Sequence, residues 1–297
     1  MIKKLKRTLC MASLLCLAMV PTCGASSAAD AYFYAGGKSM DAAAAAEYLA
    51  RYDVVLFGEY HDQRAIHIIE NDFLCAMYKL QPNLAVSMEM LERDGAKEFE
   101  RYMTGDITEE KMRETVRLWP NWDIDYRPMA EFAKENGLDV ISSNIPRYLA
   151  AHYAKNGTLD GIAEADRQYL PTQHIITKNA YYDNFAKVMG TPKGPMKITG
   201  EMLDRYYGAQ CLKDDTMAES IARYLDAHPD TKVIHYQGSF HGNHHLGVAE
   251  KLALLRPKLK IAVIAPAESV EETQGRNEEL FCIFVRKNEQ GKMPAVK

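Results

Sequence analysis

Cysteine is scarce in this chain of 297 residues: six in all, with Cys10, Cys16 and Cys23 in or beside an N-terminal apolar stretch and Cys75, Cys211 and Cys282 scattered singly. That spacing implies no disulfide framework and resembles no zinc knuckle, so burial as small hydrophobes is expected for the last three. No apolar run is long enough for a permanent membrane anchor, since the one at Leu9 to Val20 falls short of a bilayer span. Basic charge is not in excess either. The formal net charge is −4, and without Lys3, Lys4, Lys6 and Arg7 the remainder stands near −8 by the same count. An acidic surface repels a phosphate backbone, so no nucleic-acid partner is expected. There is no HExxH motif, no internal repeat and no low-complexity tract beyond a short alanine run. A nucleophile elbow at Ser239 would need glycine two residues before it, and Gln237 stands there instead.

The N-terminus has the pattern of an export signal: a basic start, an apolar core and then small residues, covering residues 1–28. Two processing routes fit. Val20-Pro21-Thr22-Cys23 places a cysteine where a lipoprotein would be lipidated, although Pro21 and Thr22 depart from the usual small apolar pair. Ser26-Ser27-Ala28-Ala29 would suit an ordinary signal peptidase. Both put the folded part, a single domain over residues 31–297, outside the cytoplasm, either periplasmic or anchored at the outer membrane.

In the remainder, short apolar runs alternate with helical periodicity. Ala31 to Ala35 reads as an edge strand; Val54 to Phe57, Asn83 to Met90, Leu138 to Ile141, Lys232 to Tyr236, Lys260 to Ile264 and Leu280 to Val285 read as core strands. Helices are expected over 41–52, 62–80, 93–103, 108–118, 128–136 and 244–255, the last capped by Asn243. Residues 148–225 carry only helical signals, interrupted by the loop Gly190-Thr191-Pro192-Lys193-Gly194-Pro195. The pattern predicts an α/β fold, a mostly parallel sheet covered by helices on both faces, with a helical insertion or cap between the third and fourth core strands.

In such folds ligands bind at the carboxyl ends of the strands. Glu59 and His61 follow the first core strand, Glu89 the second, Asn144 the third, and Gln237 with His241 the fourth, so these residues should share a rim. Glu59, His61, Glu89 and His241 are of the types that hold a divalent metal. The same residues would also serve as a polar network fixing the strand ends. His244 and His245 are expected on a solvated helix start, and His67 well around its helix from His61. Tyrosines pair at Tyr181-Tyr182 and Tyr206-Tyr207 on the inserted helices, as helix core or as a surface for a flat apolar ligand whose ferric iron a phenolate could bind.

Taken together, LFGEYHDQRAIH, VSMEMLERD, YRPMAEFAKENGLDVISSNIPR, YGAQCLKDDTMAESIARY and HYQGSFHGNHHLGVAEKL resemble the successive signature segments of the ChaN family of iron-regulated haem-binding lipoproteins. They also carry the GE-x-H and G-x-x-H features of the wider superfamily that includes Tiki proteases and erythromycin esterases. The resemblance implies an envelope protein that binds haem during iron uptake, as a homodimer enclosing haem, with a tyrosine on the iron. The residues it carries over are Glu59, His61, Glu89, Asn144, Arg147, Gln237 and His241 at the rim, with Tyr207, Gln210 and Met217 in the helical region. Tyr207 is the first candidate for the iron, since it lies in a matching segment; Tyr206, Tyr181 and Tyr182 stay open. The sequence before Cys23 departs from the family's anchor. The alternative that the superfamily implies is a metal-dependent hydrolase, a protease or esterase, using Glu59, His61, Glu89 and His241.

Overall fold

The computed structural model describes residues 30–190 and 198–286. The expected signal segment, with Cys23 and Ala28, and most of the loop after Gly190 lie outside them. The first two strands, β1 (Ala31–Ala35) and β2 (Lys38–Met40), form an antiparallel hairpin. Gly36 and Gly37 turn it at φ of 56° and 81°, a region costly for other residues. With three residues and no apolar alternation, β2 has no signature in the sequence. Then follow α1 (Ala42–Leu49), β3 (Val54–Glu59), α2 (Arg64–Leu80), β4 (Leu84–Glu92), α3 (Ala96–Met103), α4 (Glu109–Arg113), α5 (Arg127–Glu135) and β5 (Val140–Asn144). The chain continues through α6 (Arg147–Asn156), α7 (Ala180–Gly190), α8 (Gly200–Ala227), β6 (Lys232–Gly238), α9 (Val248–Leu255), β7 (Ile261–Ala267) and β8 (Leu280–Phe284).

The eight strands make one sheet in the order β2-β1-β8-β7-β3-β6-β4-β5. From β8 to β5 all pairs are parallel, and only the β1–β2 hairpin at one edge adds antiparallel pairs. Both faces are buried, and the two-residue period of a strand divides β3 between them. Val55 and Phe57 join a core with Phe33, Phe73 and Tyr236 beneath α1, α2 and α5. Val54 and Leu56 join a second core with Met217, Ile221 and Leu252 from α8 and α9. The later half of α8 therefore covers the sheet directly, while α6 and the middle of α8 build a separate cluster around Leu149, Tyr153 and Leu212.

Two expectations shift. The helix expected over 108–118 stops at Arg113. The last long helix starts at Val248 rather than at His244, because His244, His245 and Gly247 take φ of 60°, 56° and 57°, which no α-helix accommodates. Cys211 and Cys282 are buried free thiols. Cys75 is buried but disulfide-bonded, so the small-hydrophobe expectation fails there.

Candidate functional site

Glu59 ends β3 on the same side as Val55 and Phe57, so its carboxylate enters the α2 face and is buried there. Three groups touch it. His61 Nδ1 lies 2.5 Å from Oε1, the Tyr126 hydroxyl donates to Oε1 at 2.9 Å, and His67 Nδ1 stands 2.9 Å from Oε2. Beyond His67 is Glu70, whose Oε2 is also 2.9 Å from Nδ1. Burial alone would raise the Glu59 pKa, but the hydrogen bonds from His61 and His67 hold it down at about 2. Burial and the neighbouring Glu59 charge push Glu70 up to about 8. His67 is raised as well: burial opposes its charge, and Glu59 and Glu70 together lift it to about 11.

Glu89 occupies the opposite face. On β4, Val86, Met88 and Met90 face the α2 side, whereas Ala85 faces α8, and Glu89 shares the parity of Ala85. Its Oε2 accepts the Gly238 main-chain N–H at 2.7 Å, and its Oε1 lies 3.2 Å from His241 Nε2. The other ring nitrogen of His241, Nδ1, is 2.5 Å from Asp214 Oδ1 on α8, and Gln210 of the same helix sets its amide 3.1 Å from that nitrogen. Burial would lower the His241 pKa, but the Glu89 and Asp214 carboxylates reverse this and hold it at about 10. Burial likewise works against the Glu89 charge, and His241 keeps its pKa well below the usual carboxylate range. Asp214, wholly enclosed, is drawn upward by desolvation.

His61 links the two faces. Its Nδ1 meets Glu59, and its Nε2 comes so close to Gly238 that a Cβ there would lie 2.8 Å from it and 3.5 Å from Glu89 Oε2. The ring also meets the edge of Trp119, with centroids 4.8 Å apart. Glu59, His61, Glu89 and His241 are thus neighbours at one end of the sheet, arranged as two carboxylate–histidine couples on opposite faces.

The other residues expected at the rim have different surroundings. Asn144 donates to the Glu89 carbonyl at 3.0 Å and accepts from Ile145 N at 2.9 Å, which fixes the turn after β5. Arg147 is exposed, and its main-chain N–H reaches Glu92 Oε2. Gln237 is fully buried with neither end of its amide hydrogen-bonded among the described residues. Met217 belongs to the core under α8. Among the tyrosines, the Tyr207 hydroxyl donates to the Thr177 carbonyl at 2.7 Å, Tyr182 donates to Asp204 at 2.7 Å, and Tyr181 accepts from Gln210 at 3.1 Å while stacking on Phe240. Burial raises the Tyr207 and Tyr181 pKa values above the ordinary phenol range. Tyr206 is half-buried against the same aromatic cluster, and among the described residues its hydroxyl has no hydrogen-bond partner.

Sequence reasoning missed Glu70, Tyr126 and Asp214, and it set His67 aside. A signal for two of them is present: His67 and Glu70 lie three apart on a helix whose apolar residues Ile66, Ile69 and Phe73 mark the buried side. Asp214 has none, since its role depends on how α8 crosses the sheet.

The fold and rim define an α/β protein with carboxylate–histidine couples at the carboxyl ends of a parallel sheet. A family model described as haem-binding uptake, Tiki superfamily, ChaN matches residues 45–252, and the chain belongs to that family. A solved structure described as cofacial heme binding to ChaN of Campylobacter jejuni is similar over 86% of this chain and 97% of that one, with a TM-score of 0.66 at 18% identity, a likeness of fold. An erythromycin esterase mutant in its open conformation is similar over 74% of this chain and 71% of that one at 13% identity, with a TM-score of 0.46. No curated protein matches the chain.

Proposed function

We propose that this protein binds haem in the cell envelope and serves its uptake. The observation that carries this reading is the match to the haem-binding uptake family across residues 45–252. Among the described residues no helix is long and apolar enough to cross a membrane. Attachment at the outer membrane would come from a lipid on Cys23, whereas cleavage near Ala28 would leave the protein free in the periplasm. A homodimer with haem between its subunits belongs to the same reading.

For the iron ligand, the geometry favours Tyr206 over Tyr207, the candidate from the matching segment. A phenolate on ferric iron needs a hydroxyl that can leave its own hydrogen bonds. Those of Tyr181, Tyr182 and Tyr207 are engaged, while among the described residues that of Tyr206 is not. Met189, Leu203 and Phe240 pack on the same cluster and supply apolar surface. Titration of the purified protein with ferric haem, followed by absorption, tests this. Saturable binding is expected, with the tyrosinate band lost in Tyr206→Phe; no saturable binding overturns the uptake reading.

A second reading, a metal-dependent hydrolase, draws on the His241 couple, where a histidine held between Glu89 and Asp214 has the form of an acid–base relay. Assay of the purified protein for bound metal, and for peptidase and esterase activity, separates it from the first.

A further inference from the structure

His67 has one ring nitrogen committed. Its Nε2 lies 3.2 Å from the main-chain carbonyl of His61, a group that only accepts, so that nitrogen carries a proton. On a neutral ring, Nδ1 then presents a lone pair. Facing that lone pair, at 2.9 Å each, are Glu59 Oε2 and Glu70 Oε2. Three acceptors converging on one buried point need something positive between them. A proton on Nδ1 would serve the two carboxylates from one side; a metal ion would engage all three donors at once.

Further observations point to a ligand. Glu70 Oε1 is buried without a hydrogen-bond partner among the described residues, Glu59 Oε2 faces only the His67 nitrogen, and Glu59, His67 and Glu70 are each at most 1% exposed. The other Glu59 oxygen is fixed by the Tyr126 hydroxyl and by His61, so Oε2 is aimed at His67 and Glu70 before anything binds. One donor atom from each residue lies within 4.8 Å of the others.

We propose that Glu59, His67 and Glu70 form a binding site for one divalent transition-metal ion, of the zinc or manganese kind. Two carboxylates and one imidazole are a donor set for such ions. A ligating histidine usually gives its second N–H to a carbonyl or carboxylate, which is the arrangement His67 makes with His61. The site lies on the α2 face, apart from the Glu89–His241 couple. Its Glu59 is bonded to His61, whose side chain is 35% exposed. The inference is independent of haem.

The test uses haem-free, chelator-stripped protein titrated calorimetrically with ZnCl₂ and separately with MnCl₂. One ion per chain is expected, with affinity reduced about tenfold or more by Glu70→Gln. Melting curves accompany the titration: the ion should raise Tm in the parent protein and raise it less in the cooperatively melting Glu70→Gln. Should that variant not fold, His67→Gln is read the same way. If neither ion binds saturably, or Glu70→Gln binds as the parent does, the site is overturned and the charge between the carboxylates is a proton. Haem titration would be untouched by that failure.

Discussion

Glu59 and Glu89 lie on strands separated only by β6, yet their carboxylates serve opposite faces of the sheet. His61 lies between, bonded to Glu59 and reaching over Gly238 toward Glu89. A rim that reads in sequence as one cluster is two sites that share a histidine.

Gly238→Ala tests that bridge. Gly238 has φ of −55° and ψ of 135°, which alanine tolerates, so the whole effect comes from its Cβ meeting His61 Nε2 at 2.8 Å. His61 cannot give way without losing Glu59. A loss of about 1–2 kcal/mol in urea denaturation is expected, and a change near zero would show that the ring moves freely.

Arg93, just past the end of β4, ties that strand to α8. It donates to Ser220 Oγ, the Thr216 carbonyl and Glu219 Oε1, and its third nitrogen faces the Tyr169 and Leu170 carbonyls. Arg223 pairs with the same Glu219 from an exposed position. Arg93→Ala should cost about 3 kcal/mol, and Arg223→Ala about 0–1 kcal/mol. Equal effects in denaturation would contradict the difference in burial.

His241 sets a pH dependence. Its folded pKa of about 10 is above the unfolded value, so its contribution is complete below about 6.5 and lost as pH rises through the folded value. Tm of the parent should therefore fall from neutral pH toward pH ~10 more steeply than that of His241→Gln. Parallel curves would place the charge elsewhere.

Tyr206 and Tyr207 should separate binding from stability. Tyr207→Phe removes the bond to Thr177 and should cost about 1 kcal/mol with little change in haem affinity. Tyr206→Phe should leave stability near the parent's and weaken haem. The reverse result would return the iron to Tyr207.

Much of the scaffold is legible in the sequence because parallel strands buried on both faces are short apolar runs, as Val54 to Phe57 shows. The approach to the rim is legible too, since Glu59, Glu89 and Gln237 interrupt those runs with groups that a core rejects. Which face each one serves is not, because the parity of β4 relative to β3 follows from register and not from composition. The start of α9 is hidden for a different reason: His244 and His245 look like helix residues until their positive φ is known.

β3 is near the centre of the sheet, and both of its neighbours come late in the chain: Val54 pairs with Val233 and with Ile261. Until β6 and β7 arrive, the strand bearing Glu59 has nothing to pair with, and pieces such as β4–β5 cannot close a core around it. Long-range pairing of this kind slows folding. The central seam therefore shuts late, and a chain halted before β6 keeps one of its most apolar strands uncovered for chaperones or proteases to find.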